Sequence, residues 1–179
     1  ATVQLYTDNP AAGTTTGSTG TCAAGTVTLT AATLAAGTHN ITARQTDAAG
    51  NQGVASAALA VTIDLAGPTI SSVAPATNAY VNNTQVSYTF SEAVASGSVT
   101  WTRTGGAADS GGSPAGTHTQ TLTGGELATG AHSAITLTNN PTLVSGTIYT
   151  ITWNATDAAG NTATAVSSTN VTYDTTLPV

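Results

Sequence analysis

The feature that most constrains this chain is that it repeats itself. Thr46-Asp47-Ala48-Ala49-Gly50-Asn51 returns as Thr156-Asp157-Ala158-Ala159-Gly160-Asn161, an offset of 110 residues. The same offset carries Val61-Thr62-Ile63-Asp64 onto Val171-Thr172-Tyr173-Asp174, and Pro68 onto Pro178. Upstream, Leu34-Ala35-Ala36-Gly37 meets Leu143-Val144-Ser145-Gly146 after a one-residue gap. A unit this long exceeds a solenoid turn and implies whole domains in series. The boundary falls in Leu65-Ala66-Gly67-Pro68. Residues 1–66 then read as the C-terminal part of a first domain, and residues 67–179 as a second, complete domain with the start of a linker at 174–179.

Composition decides what kind of domain. Forty of the 179 residues are Thr, and charged residues make up 6% of the chain, where about 25% is usual. Thr carries a branched Cβ that favours strands and a hydroxyl that keeps an outer sheet face wet, so the chain reads as all-β. From residue 69 onward, alternating or β-rich runs separated by turn residues fall near 69–74, 84–91, 97–103, 118–123, 133–138, 147–155 and 165–173. Seven short strands in about 105 residues suit an Ig-like sandwich. Before residue 65 only four runs are found, near 2–6, 25–30, 38–45 and 56–63; alignment makes them strands C, E, F and G. The expected fold is therefore tandem Ig-like β-sandwiches, the first incomplete and the second seven-stranded. Without strands A and B the first would show a bare inner face and unpaired edges. Either the chain is a segment cut within a domain, or another chain supplies the strands.

In the second unit Val86, Tyr88 and Phe90 share one face of their strand, Val99 and Trp101 one face of theirs, and Tyr149, Ile151 and Trp153 one face of a third. Trp101 falls where such sandwiches bury their central indole, and Tyr149 fits a tyrosine corner whose hydroxyl bonds back to the chain. These aromatics read as core. His39 aligns with Tyr149 and reads as a corner residue of the first unit. Segments 7–24 and 104–117, rich in Gly, Ser, Thr and Ala, read as flexible loops. Asp109 and Glu126 fall in Gly- and Ser-rich loops and read as solvated, and Asp8 as a loop residue that approaches the junction. Four Asn-x-Thr triplets, at Asn40, Asn82, Asn154 and Asn170, are expected by chance in so Thr-rich a chain.

Strand direction places the acidic residues. In a sandwich with termini at opposite poles, the loops after strands B and F face the preceding domain. Glu92 follows strand B, Asp157 and Asn161 lie in the loop after F, and Asp64 ends strand G of the previous domain. Three carboxylates and an amide thus converge on the junction. Oxygen donors in that number suit Ca²⁺, and without a cation the carboxylates would repel one another in a chain with no lysine. The competing reading is that Asp-Ala-Ala-Gly-Asn is simply a hairpin, its Asp capping the turn. By the same geometry Asp47 and Asn51 would form a half-site toward a preceding domain, and Asp174 toward a following one.

The run Leu-x-x-Gly-Thr-His, then Thr-Asp-Ala-Ala-Gly-Asn, then Val-Thr-Ile-Asp with Pro four residues on, resembles the bacterial Ig-like repeats of large secreted surface adhesins. Asp174-Thr175-Thr176-Leu177-Pro178 stands where those repeats carry their linker, whereas Leu65-Ala66-Gly67 departs from the usual Asp-Thr-Thr. The resemblance implies an extracellular, cell-surface spacer among neighbouring Ig-like domains of the same chain or like subunits, often stiffened by calcium at the junctions. It implies no ligand.

No catalytic constellation holds together: there is no Gly-x-Ser-x-Gly, no Gly-x-x-x-x-Gly-Lys, no His-Glu-x-x-His and no Cys pair. His118 and His132 show no metal spacing, and Cys22 reads as a small packed or loop residue. No stretch is long and apolar enough for a membrane helix, and no basic surface exists for nucleic acid. The chain is thus expected to be a non-enzymatic spacer or stalk. The rival is an extracellular fibre subunit whose first domain is completed by strands from a neighbour.

Overall fold

The computed structural model describes residues 1–8 and 14–178. It is all-β apart from one short 3-10 helix, Gly124–Leu127, and no helix among the described residues is long and apolar enough to cross a membrane. The chain divides into two units, Ala1–Leu65 and Ala66–Val179.

The first unit is a single antiparallel sheet of four strands, β1 (Thr2–Thr7), β2 (Thr14–Thr21), β3 (Gly37–Thr46) and β4 (Leu59–Ile63), in the order β2-β1-β3-β4. Strands near 2–6, 38–45 and 56–63 match β1, β3 and β4. The expected strand at 25–30 does not form a ladder, and the segment expected as a loop holds β2 instead; residues 9–13 of that loop lie outside the described residues. The reason is visible in the second unit. There Val27-Thr28-Leu29-Thr30 has its counterpart in Ile135-Thr136-Leu137-Thr138, and the strand leading into it pairs with a neighbour that the first unit's described residues do not contain. With nothing to pair against, the chain turns at Ala23–Thr26, and Val27 and Leu29 lie against Gly20. A Cβ at Gly20 would stand 2.6 Å from Val27 Cγ2 and 2.5 Å from Leu29 Cδ2, so any larger residue there would make these side chains shift. β2 carries no apolar alternation. It is an edge strand of β-branched residues, irregularly paired, with Gly17 at φ +76° where its register with β1 shifts.

The second unit is a two-sheet sandwich. Its smaller sheet has the order β10-β7-β5, from β5 (Ile70–Ala74), β7 (Val86–Phe90) and β10 (Gly130–Ile135). Its larger sheet has the order β6-β12-β11-β8-β9, from β6 (Tyr80–Val81), β8 (Ser96–Gly106), β9 (Thr117–Thr121), β11 (Thr147–Thr156) and β12 (Val166–Tyr173). All pairings are antiparallel except β6 with β12. The alternation read from sequence is what seals it. Val86, Tyr88 and Phe90 of β7 face Val99 and Trp101 of β8 and Tyr149, Ile151 and Trp153 of β11, all at most 1% exposed. Val94, Leu122, Leu137, Ala155 and Val171 close the same cluster. Among the described residues the buried apolar core lies entirely in this unit. In the first, the buried side chains among the described residues are Thr16 and Thr42.

Outer faces are held by hydroxyls. Directly opposed residues pair across strands as Thr100 with Thr119 (3.2 Å), Thr152 with Ser167 (2.9 Å) and Thr38 with Thr62 (3.1 Å). Each such pair contributes roughly 0.2–1 kcal/mol relative to Ala–Ala.

Candidate functional site

The repeated hexapeptide forms the same loop in both units. In the second, Asp157 Oδ1 accepts the backbone N–H of Ala159 and of Asn161, each at 2.8 Å, and Oδ2 accepts Asn161 Nδ2 at 2.9 Å. In the first, Asp47 Oδ1 accepts from Ala49 (2.9 Å) and Asn51 (2.8 Å), and Oδ2 from Asn51 Nδ2 (2.9 Å). Glycine at φ +93° and +91° completes the two turns. In each loop the Asn side chain leads the donors that hold the carboxyl below its ordinary value, so both stay ionised at neutral pH. The turn-capping reading is therefore realised. It does not exhaust the oxygens, because Oδ2 accepts one hydrogen bond and a carboxylate oxygen has two lone pairs.

Asp157 is 4% exposed. Within the same unit, carboxylate oxygens of Glu92 and Asp157 lie within 4.8 Å of one another. Asn161 Nδ2 also reaches the carbonyl of Ala66 at 3.5 Å. Asp64 directly follows β4 and stands two residues before Ala66. Asp174 Oδ1 accepts from Thr176 N (2.8 Å) and Ser145 Oγ (3.2 Å), with the Thr176 amide the chief cause of its lowered pKa.

Three acidic residues read as loop or solvated side chains have defined partners. Asp109 is buried: its Oδ2 accepts from Tyr149 OH at 2.6 Å and from His118 Nε2 at 2.7 Å, and its Oδ1 from Gly111 N at 2.8 Å. Burial pushes its pKa up, but the donors from Tyr149, His118 and Gly111 outweigh that and leave it lowered. Tyr149 OH in turn accepts Val144 N at 3.2 Å, which is the corner expected from the sequence. The long loop of 107–116 is thus anchored to the core rather than loose. Glu126 closes a capping box at the 3-10 helix: Oε2 accepts Thr123 N at 2.8 Å, and Oε1 accepts Thr138 N at 2.6 Å. Glu126→Ala should cost about 1 kcal/mol, as loss of a cap does, read as a lower denaturation midpoint at unchanged m-value.

Asp8 pairs with the corner residue of its own unit. Its Oδ1 accepts Asn40 N at 2.9 Å, and its Oδ2 lies 3.0 Å from His39 Nδ1, while His39 Nε2 lies 3.0 Å from the carbonyl of Ala35. Both His39 partners are acceptors, so both ring nitrogens donate only in the imidazolium, and the Asp8 hydrogen bond raises the His39 pKa. The two units therefore use the same device: an acid following the strand that pairs with the corner strand, β1 beside β3 and β8 beside β11, tethers the corner residue, His39 in one and Tyr149 in the other. His132 stacks on Tyr88 at 4.6 Å, and Cys22 is half-buried and free.

A four-stranded sheet followed by a two-sheet sandwich with a tyrosine corner defines a pair of immunoglobulin-like modules. The bacterial Ig-like domain family matches residues 64–175, and a second bacterial Ig-like domain family matches residues 1–65. This chain belongs to the bacterial Ig-like domains. A solved structure, of a tetra-tandem repeat in the extending region of a large adhesion protein, is similar over 97% of this chain and 42% of its own, at 20% identity and a TM-score of 0.39. The chain thus spans less than half the length of that structure. No curated protein matches the sequence.

Proposed function

We propose that the chain is a non-enzymatic spacer module of an extracellular bacterial surface protein of the adhesin type, stiffened by Ca²⁺ where its two units join. Membership of the bacterial Ig-like family and the tandem order of the units support the spacer part. The observation that carries the calcium part is the approach of the Glu92 and Asp157 carboxylates to within 4.8 Å, with no lysine in the chain to neutralise them. Covalent reach brings in the third. Asp64 precedes Ala66 by two residues, so its Cα lies within about 7 Å of that of Ala66, whose carbonyl receives Asn161. Asp64, Glu92, Asp157 and Asn161 supply oxygen alone, which fits a hard cation of six to eight oxygen ligands. Asp47 and Asn51 on one side, and Asp174 on the other, would be half-sites toward adjacent domains.

The test is thermal unfolding with Ca²⁺ and with chelator. Calcium at about 100 times its dissociation constant should stabilise by about 2.7 kcal/mol, and Glu92→Gln together with Asp64→Asn should abolish the shift without altering the spectrum of the folded chain. A melting temperature indifferent to chelator removes calcium and leaves the spacer without that stiffening. Scattering with and without Ca²⁺ checks the mechanical role: the distribution of distances between the two units should narrow when calcium is added.

A further inference from the structure

The corner residues of the two units differ in when they can donate. Tyr149 gives its hydroxyl to Asp109 at 2.6 Å, and burial, then that hydrogen bond, raise its pKa above the ordinary 10.0. The Tyr149 donor therefore persists throughout the neutral range. His39 fills the same role in the first unit with a ring whose charge changes in that range.

Asp8 stands just past β1 with φ +62°, in the left-handed region, where a residue with a side chain needs support. Three contacts to β3 supply it: Asp8 N donates to Asn40 O (2.8 Å), Asn40 N donates to Asp8 Oδ1 (2.9 Å), and His39 Nδ1 meets Asp8 Oδ2 (3.0 Å). Beyond the ring, His39 Nε2 meets Ala35 O at 3.0 Å. A neutral imidazole has one N–H for these two acceptors, so loss of the proton turns a lone pair toward either the carboxylate or the carbonyl. One of the two bonds must then break. Among the described residues Asp8 is the charged group that faces His39; β4 places Val61 opposite it, and the chain before β3 offers the Ala35 carbonyl. The side chains of His39 and Asp8 are 17% and 55% exposed, so solvent protons reach the pair directly.

We propose that Asp8 and His39 form a pH-sensitive clasp between the end of β1 and the start of β3, closed when the imidazole is protonated and opened when it is not. Both partners set its working range. Hydrogen bonds led by the Asn40 amide lower the Asp8 pKa from 3.8, and the Asp8 hydrogen bond raises that of His39 from 6.5. The His39 contribution is complete below its ordinary value and lost as pH rises through its folded pKa, whereas that of Asp8 is complete above its ordinary value and lost as pH falls through its own. The clasp is thus fully closed between 3.8 and 6.5, and the first unit loosens as the medium turns alkaline.

The experiment uses the full chain in the presence of chelator, which separates its outcome from that of the calcium reading. Imidazole resonances of His39 and hydrogen-exchange protection of the Asp8 and Asn40 amides, corrected for the intrinsic exchange rate, are followed from roughly pH 5 upward. His39 should titrate with a midpoint above 6.5, and protection at both amides should be level below that midpoint and fall through it. Asp8→Asn should bring the midpoint down toward 6.5. His39→Tyr, which keeps a donor but not one that titrates near neutrality, should abolish the fall. That variant retains every other titratable group of the unit, so a fall persisting in it overturns the proposal. A His39 midpoint at or below 6.5 does so too, as does protection that ignores the titration. Should His39→Tyr not fold, the natural chain and Asp8→Asn decide the matter between them, through the midpoint and its displacement.

Discussion

Trp101→Ala is expected to destabilise the second unit by about 3–5 kcal/mol, the range for deleting a large aromatic from a closed core. Trp101 is fully buried and meets Tyr149 edge to face, ring centroids 5.9 Å apart at 85°. Its Nε1 has no hydrogen-bond partner, so the loss is one of packing alone and no polar contact offsets the void. Both tryptophans of the chain, Trp101 and Trp153, lie in this unit, so the fluorescence of Trp153 in the variant reports its unfolding without interference from the first. Ile41→Ala in the first unit should cost much less, since Ile41 is half-buried and its neighbours have water beside them already. Equal effects at the two sites would mean that the first unit has a sealed core.

The second large effect is expected at Asp109. Removing it as Asp109→Ala leaves the Tyr149 hydroxyl and the His118 ring without their buried acceptor, a loss of about 3–5 kcal/mol. The side chain of Asp109 is 1% exposed and that of His118 8%. The sign of the pH dependence follows from the lowered carboxyl. A group with a folded pKa below its ordinary 3.8 stabilises the fold in full above that value, and the contribution is lost as pH falls through the folded pKa. Melting temperatures measured from neutral pH down through that window should decline for the natural chain and decline less for Asp109→Ala. Parallel curves would show that Asp109 carries no linked proton.

The strands of the second unit were legible because their side chains alternate: β7 and β11 bury every second residue, and that period is written in Val86-Ser87-Tyr88-Thr89-Phe90. The loop of Asp157 was legible through its repetition at Asp47. β2 was not, since Thr14-Thr15-Thr16-Gly17-Ser18-Thr19-Gly20-Thr21 has no apolar face to register and takes its place by pairing with β1. The strand expected at 25–30 failed for the opposite reason: the pattern was present but the pairing partner was not. Glu126 had a local signal, Thr123 three residues before it in capping-box spacing. Asp109 had none, because its ligands Tyr149 and His118 are brought to it only by the folding of β9 and β11.

The opposed hydroxyls of the outer faces have a consequence for the medium in which the protein works. Among the described residues the ion pairs are His39 with Asp8 and His118 with Asp109, the second of them sheltered in the interior. Dissolved ions weaken attraction between exposed charges, and a surface cross-linked by Thr and Ser gives them little to weaken. Sheet integrity should therefore be the same in brine as in fresh water.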